Sequence, residues 1–579
     1  MTEHPTTVHV LRNLKHGEQL VTDRPRSKRP EAAASTCVPE PLSEHEVAEA
    51  STPFGYLFDD LAAGFPTHHL PGDPDAVTTA LRTLGEAMAE PAATPNDQPG
   101  NGNSTIPPVY TYWGQFIDHD ITANTDRQNT VTDITADHVK PLEPADIVRD
   151  LRNLRQPALN LDSVYGDGPT FEGAEKTAAA DFYDGIGLRL SDVVFTNDDG
   201  SDLAGDPVVD VTDAQHDLPR EDGTATARIG DGRNDENLIV AQLHVAFLRF
   251  HNAVLKSVRE QRDSPTHERA LFERVSDLVR WHYQWLVVHD FLKTVALPGV
   301  VDKVLLGGNR LYTPRDGEVY MPLEFSVASY RFGHTMVRDA YDFNANFGRF
   351  NGGPGKVIPT APFGLIFAFT GSAQPAPFNG GTKVLPANWV IDWNRFVDKG
   401  SSEPDHFARK IDTRIAPPLF NMVNQVSPDD QARPEAVQDI LKRLAVRNLL
   451  RGYQLALPTG QAVAAALGVA ALTEDQLQQG NSDAVNQALS DGGFLDRTPL
   501  WYYVLKEAEV TANGTSLGEV GSRIVVETLV GQIRNDPKSF LNQTGWGPEH
   551  GVRLASGEPI VTIKDLLNFA GVLTPVDAS

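Results

Sequence analysis

A mainly α-helical fold is what this sequence predicts, on three observations. Apolar residues recur at helical spacing over several long stretches, alternating strand-like runs are few and short, and 40% of the 579 residues are hydrophobic, enough for a large core. The clearest stripe runs from Glu236 to Leu255, where Leu238, Ala241, Val245, Leu248 and Leu255 fall on one face. A second runs from Leu271 to Val295, and helical stretches recur from Ala436 to Tyr453 and from Gly518 to Ile533. With no internal repeat, one large catalytic domain over residues 51–579 is expected. It follows a flexible lead at 1–50 that is polar and rich in Pro, Glu, Arg and Ala.

The body begins near Phe54-Gly55-Tyr56-Leu57. Between Pro91 and Pro108 a run of Pro, Asn, Gly and Ser forms a loop that delivers the chain into Trp113-Gly114-Gln115-Phe116-Ile117-Asp118-His119-Asp120. If Tyr110 to Ile121 is helical, Gln115 and His119 stand four residues apart and Asp118 three from Gln115, so the three share a face and Asp120 points elsewhere. An amphipathic helix has no need of an amide, two carboxylates and an imidazole so close together. The segment Gln156 to Gly166 carries Asn160 and Asp162. Asn197-Asp198-Asp199-Gly200 lacks the spacing and terminal Glu of a calcium loop of the EF-hand type and reads as a turn.

Gly232-Arg233-Asn234-Asp235-Glu236-Asn237 leads directly into the strongest helical stripe. Further on stands Tyr330-Arg331-Phe332-Gly333-His334-Thr335, whose glycine permits close backbone approach. Then comes Arg447-Asn448-Leu449-Leu450-Arg451 with Leu457-Pro458 behind it. Gly353-Pro354-Gly355-Lys356 lacks the first half of a phosphate loop. His244, His251 and His282 sit in apolar helical contexts and read as core or helix-end residues. His4, His68 and His69 read as loop residues, and no Cys/His cluster has zinc spacing.

Fifty Lys and Arg against 77 Asp and Glu leave a formal charge of -27, which repels a phosphate backbone and an anionic membrane and excludes nucleic acid as a partner. The one cysteine, Cys37, cannot form an intramolecular disulfide. Met1 to Pro30 has no apolar run of the kind a secretory signal needs, and no stretch of about 18 apolar residues predicts a membrane span. Sequons at Asn103, Asn513 and Asn542 then read as chance matches, and a cytoplasmic, bacterial-type protein is expected.

The Trp113 to Asp120 segment matches W-G-Q-x-x-D-H-D throughout, and there the sequence resembles the animal-type haem peroxidases of the peroxidase–cyclooxygenase superfamily. With gaps, the resemblance extends from about Phe54 to Trp546. It implies haem b as cofactor. It implies reduction of hydrogen peroxide through an oxo-ferryl intermediate, with oxidation of a small-molecule organic donor, halide or pseudohalide. His119, with Gln115 beside it, is the implied catalytic base that moves a proton between the peroxide oxygens, work suited to an imidazole near neutral pH. Arg233 would stabilise the charge developing on the departing oxygen. Asp118 and Glu236 match carboxylates that become ester-linked to haem methyls. Asn237 stands where some members carry Met, so a sulfonium link is not expected.

His334 is the implied iron ligand and Asn448 its hydrogen-bond acceptor, while Arg331 and Arg451 would pair with the haem propionates. In the family the residue matching Asp120 joins a loop T-x-x-x-D-x-S before V-Y-G to bind calcium. Here Gln156 replaces Thr, Asn160 replaces Asp, Asp162 replaces Ser, and Ala158 would offer its carbonyl, so a calcium site with rearranged charge is expected. Two other readings stay open. A fatty-acid dioxygenase of the superfamily would carry Tyr three residues before the proximal His, where this chain has Arg331, with Tyr330 one residue away. A non-catalytic adhesion or matrix module would have no use for His119, Arg233, His334 and Asn448 together.

Overall fold

A computed structural model describes residues 51–90, 102–123, 133–136, 138–221, 226–314, 318–348, 363–371, 384–397, 407–422 and 430–573. The expected lead at 1–50 with Cys37, and the 353–356 segment, lie outside the described residues. The architecture is mainly α with a few short strands, as the periodicity predicts.

Eight helices position the site: α1 (Pro74–Ala87), α2 (Val109–Ile121), α3 (Leu238–Arg259), α4 (Glu268–Leu286), α5 (Glu435–Lys442), α6 (Leu444–Gln454), α7 (Leu500–Ala512) and α8 (Glu519–Asn535). α1 begins at Asp73, whose Oδ1 accepts from the backbone N–H groups of Asp75 and Ala76, with Pro74 in the first turn where its missing N–H costs nothing. α3 begins in the same manner at Asn237, whose Oδ1 accepts from Val240 N at 3.0 Å. The predicted Leu271 to Val295 run is continuous but not regular. α4 passes into a π-helical turn at Val287–Phe291 before a last turn, Leu292–Val295. The predicted Ala436 to Tyr453 run is broken at Arg443, which has extended backbone (φ -94, ψ 96) between α5 and α6.

β1 (Thr52–Gly55) is the centre of a small sheet, antiparallel to β2 (Arg152–Asn153) and parallel to β5 (Met321–Pro322). β3 (Tyr183–Asp184) and β4 (Gly187–Leu188) make a separate hairpin. β1 thus ties the segment entering the 156–166 loop to the segment preceding His334.

α3 is buried on every side from Leu238 to Leu248, so the stripe seen in sequence belongs to a central helix rather than a one-sided one. Among the described residues it alone is long and apolar enough to cross a membrane, and most of its apolar window is buried inside the fold. α2 and α4 clasp it through rings. Phe116 stacks on Phe247 at 4.6 Å, and Tyr283 meets both edge-on. Truncating Phe116 to Ala would cost about 3–5 kcal/mol by loss of this burial. α1 crosses α6 so closely that a Cβ at Gly85 would meet Val446 N at 2.8 Å, which is why that helix carries glycine there.

Candidate functional site

Within α2 only Gly114, Gln115 and Asp118 stay partly accessible; every other residue of the helix is buried. The expected polar face therefore exists, and neighbouring elements complete it. Gln115 Nε2 donates to Glu236 Oε1, Asn237 Nδ2 donates to Gln115 Oε1 at 3.2 Å, and His119 Nε2 lies 3.9 Å from the same Glu236 oxygen. The Asp118 carboxylate forms no hydrogen bond or ion pair with any described residue.

His119 is 1% exposed, and burial, followed by the neighbouring Arg233, holds its pKa below the usual 6.5, so it is neutral near neutral pH. Its Nδ1 is 2.8 Å from Asn234 Oδ1, and Asn234 Nδ2 is 3.0 Å from His244 Nδ1. A neutral imidazole facing a carbonyl oxygen must put its proton on that side, which leaves Nε2 as the basic nitrogen.

Arg233 lies in a 3-10 turn, Gly232–Asp235, started by Asp231, whose Oδ1 accepts from Arg233 N at 2.9 Å. The Arg233 guanidinium closes on Asp231 through Nε at 3.1 Å and Nη2 at 2.6 Å, and Nη2 also donates to His119 O at 2.9 Å. It is fixed against the backbone of α2, and its Nη1 makes no hydrogen bond among the described residues.

His334 ends a second 3-10 turn, Ser329–His334, which is held against α2 by Tyr330 OH donating to Gly114 O at 3.1 Å. The Asn448 amide, on α6, lies 3.0 Å from His334 Nδ1. The two ends of an amide exchange by a half-turn of the side chain. With Oδ1 accepting from Nδ1–H, Nε2 carries the lone pair a metal requires. Arg451, one turn beyond Asn448, is buried. Arg331 donates from Nε to Ser326 O at 2.9 Å, and its guanidinium forms no ion pair with any described residue.

The expected calcium set does not converge on a cation. Asp120 accepts from Leu161 N and Ser163 Oγ, both at 3.1 Å, and burial, followed by the charge of Asp162, pushes its pKa up to about 7. Asn160 Oδ1 accepts from Asp162 N at 3.1 Å, Ala158 O accepts from Gln284 Nε2 at 3.3 Å, and Asp162 Oδ1 pairs with Arg155 at 3.1 Å. Gln156 contributes its carbonyl to a tight turn with Ala158 N. Calcium needs six to eight oxygens turned to one point; these are turned to donors of the chain itself. In this arrangement the loop's oxygens do not fit a bound calcium ion.

The residues do fit a haem. Gly333 has open space where a Cβ would be, beside His334, and the Arg331 guanidinium and Asp118 carboxylate are partly accessible without ionic partners among the described residues. Residues 188–358 match the family model described as animal haem peroxidase. That stretch includes Arg233, Glu236 and His334, with Gln115, Asp118 and His119 before it and Asn448 after it. A peroxidase-like protein of Margaritifera margaritifera is 30% identical over 120 residues, which is 20% of this chain and 14% of that protein's length. Among solved structures, peroxidase A of Dictyostelium discoideum is similar with a TM-score of 0.49 and 15% identity, over 85% of this chain and 89% of that one. A fatty acid alpha-dioxygenase of Arabidopsis thaliana is similar with a TM-score of 0.48 and 14% identity, over 86% and 74%.

Proposed function

We propose that this chain is a haem-binding oxidoreductase that consumes hydrogen peroxide and oxidises a small-molecule donor. One observation carries the reading: two imidazoles, on segments joined by the Tyr330–Gly114 hydrogen bond, each have Nδ1 against an asparagine amide, an arrangement that makes Nε2 the basic nitrogen of each ring. His334 would hold the iron of haem b, with Asn448 orienting it, and Arg331 and Arg451 would hold the propionates. When bound, haem supplies the redox centre. Asp118 and Glu236 are the carboxylates proposed to attach to the porphyrin edge, and Asp118 has the fewer competing partners.

The chain's own work is proton handling and charge placement. His119 Nε2, neutral and basic, takes the proton from a peroxide oxygen, and the imidazolium so formed returns it to the other. Gln115 and Glu236 fix the polar wall beside that nitrogen. Arg233, held by Asp231, puts a permanent positive charge where the departing oxygen becomes negative.

The test is purification with haem, a pyridine haemochrome assay, and peroxide-dependent oxidation of a phenolic donor. About one haem per chain and steady donor oxidation are expected, and His334→Ala should lower haem content severely. A parent that binds no haem would overturn the reading. Oxygen uptake with a fatty acid, in place of peroxide-driven donor oxidation, would move the function to the dioxygenase class. A protein that binds haem and does neither would move it to the non-catalytic class.

A further inference from the structure

We propose that Arg155 is the resident cation of the loop behind α2, standing where the resemblance implies calcium, and that it positions Arg233 and His119 in the metal's place. The charge claim rests on the loop's register with the family, and the positioning claim rests also on the peroxidase reading.

Three carboxylates, Asp120 on α2 with Asp162 and Asp231 from neighbouring segments, are buried. Three buried acids need positive charge or donors close by. Arg155 is itself buried and lies one residue before Gln156, at the mouth of the loop. Its Nη1 pairs with Asp162 Oδ1 at 3.1 Å, and its Nη2 reaches Asp231 Oδ2 at 2.5 Å and Gly230 O at 3.2 Å. A planar guanidinium with several donors can bridge two carboxylates and a carbonyl at once, which a lysine ammonium on a flexible stem does less well. Burial works against ionising Asp231, yet Arg155 and Arg233 outweigh it and hold that carboxyl far below the usual range.

The pairing is continuous from the loop to the catalytic base. Asp162 meets Arg155, Arg155 meets Asp231, Asp231 meets Arg233, and Arg233 meets the carbonyl of His119. Main chain closes around it. A Cβ at Gly230 would stand 2.6 Å from Asp162 O and 2.7 Å from Ser163 O, so the 160–163 and 230–233 segments touch backbone to backbone and only glycine fits. Arg155 is held from behind as well, its carbonyl accepting from Thr52 Oγ1 at 2.7 Å and its N–H donating to Asn153 Oδ1 at 3.2 Å. A bound ion can be stripped by a chelator. A guanidinium covalently part of the chain cannot.

The experiment melts the full-length, haem-loaded protein after exhaustive EGTA treatment and again in millimolar calcium chloride. Both curves should coincide within about 1 °C, and metal analysis of the purified protein should find calcium far below one per chain. A melting temperature lowered by several degrees under EGTA, or stoichiometric calcium, would overturn the proposal. Neither readout depends on turnover, so failure here is distinct from failure of the peroxidase reading. The positioning role is read on Arg155→Lys, which keeps the charge and loses the fork. Its kcat for peroxide consumption should fall about tenfold or more with KM within about twofold, since a misplaced base and guanidinium harm the reaction more than binding. Parent-like kcat in that variant would remove the positioning claim. Arg155→Ala adds a further arm. Its melting temperature should drop by about 5 °C or more and recover in part with calcium, but not with sodium chloride of equal ionic strength. An Arg155→Ala protein as stable as the parent would show that the guanidinium is not the loop's needed cation.

Discussion

At the scale of single residues, the identity of the proton on His119 decides whether it can act as a base, and Asn234 makes that choice. Asn234 Oδ1 accepts the hydrogen bond from His119 Nδ1–H, and its amide is aligned by donating to His244 Nδ1. Burial lowers the His244 pKa to about 3, so His244 stays a neutral acceptor. Asn234→Leu, close in volume and without polar atoms, should slow peroxide consumption about 10- to 100-fold while haem content holds, checked by steady-state kinetics beside a haemochrome assay. The parent's acid limb should lie below pH 6.5, because the lowered His119 pKa keeps the base form populated as pH falls, and a pH–rate profile measures it. Gln115, Asp118 and His119 were legible because helical spacing alone puts them on one wall. Asn234 was not, although it stands inside a quoted motif, because its partners come from α2 and α3 and only folding brings them together. His244, read in sequence as a core residue, is buried and is also the end of this relay.

At the scale of elements, two junctions hold the site's supports. Asn237 caps α3 through Oδ1 and steadies Gln115 through Nδ2, so one side chain starts the central helix and orders the distal wall. Asn237→Ala should cost about 1 kcal/mol of stability in denaturant unfolding, the usual worth of a cap. Glu324, in the π-helical turn Glu324–Ala328 before the proximal segment, accepts from Leu57 N at 3.0 Å and Phe58 N at 3.3 Å, which pins the chain leaving β1. Burial raises its pKa from 4.5 to about 7. The folded state therefore holds a proton that the unfolded state has lost between those values, and stability from this group falls as pH rises through about 7. Glu324→Gln does not titrate, so its stability relative to the parent should rise by roughly 3 kcal/mol between pH 5 and 8. Urea melts across that range would show it, and a parallel pair of curves would refute it. Helix existence was legible from periodicity. The break at Arg443 and the π-helical turn at Val287–Phe291 were not, since the apolar spacing runs through both without interruption.

At the scale of the whole molecule, composition and periodicity told of a mainly α architecture, but not of the small sheet that ties distant segments together. β1 is four residues long, too short for an alternating pattern to register, yet it pairs with β2 beside Arg155 and with β5 ahead of the proximal turn. Its flanks are equally committed. Thr52 Oγ1 donates to Arg155 O, Phe54 is 1% exposed, and Tyr56 OH donates to Leu455 O at 3.0 Å, just past α6, the helix that carries Asn448. The expected domain start near residue 51 becomes a truncation test. Deleting residues 1–50 leaves every one of these contacts in place, so the shortened protein should keep the parent's haem content and a melting temperature within about 2 °C. Deleting residues 1–58 removes β1, the Thr52 and Tyr56 hydrogen bonds and both donors to Glu324. The loss of a central strand that joins β2 to β5 leaves their edge groups and the buried Glu324 carboxylate without partners, each a cost of about 1–3 kcal/mol, against a total stability of only about 5–15 kcal/mol. That second protein should fail to retain haem through gel filtration and melt without a cooperative transition. If it instead melted and bound haem like the parent, the sheet would be an ornament of the fold and the coupling from β1 through Arg155 to the distal site would have to be abandoned.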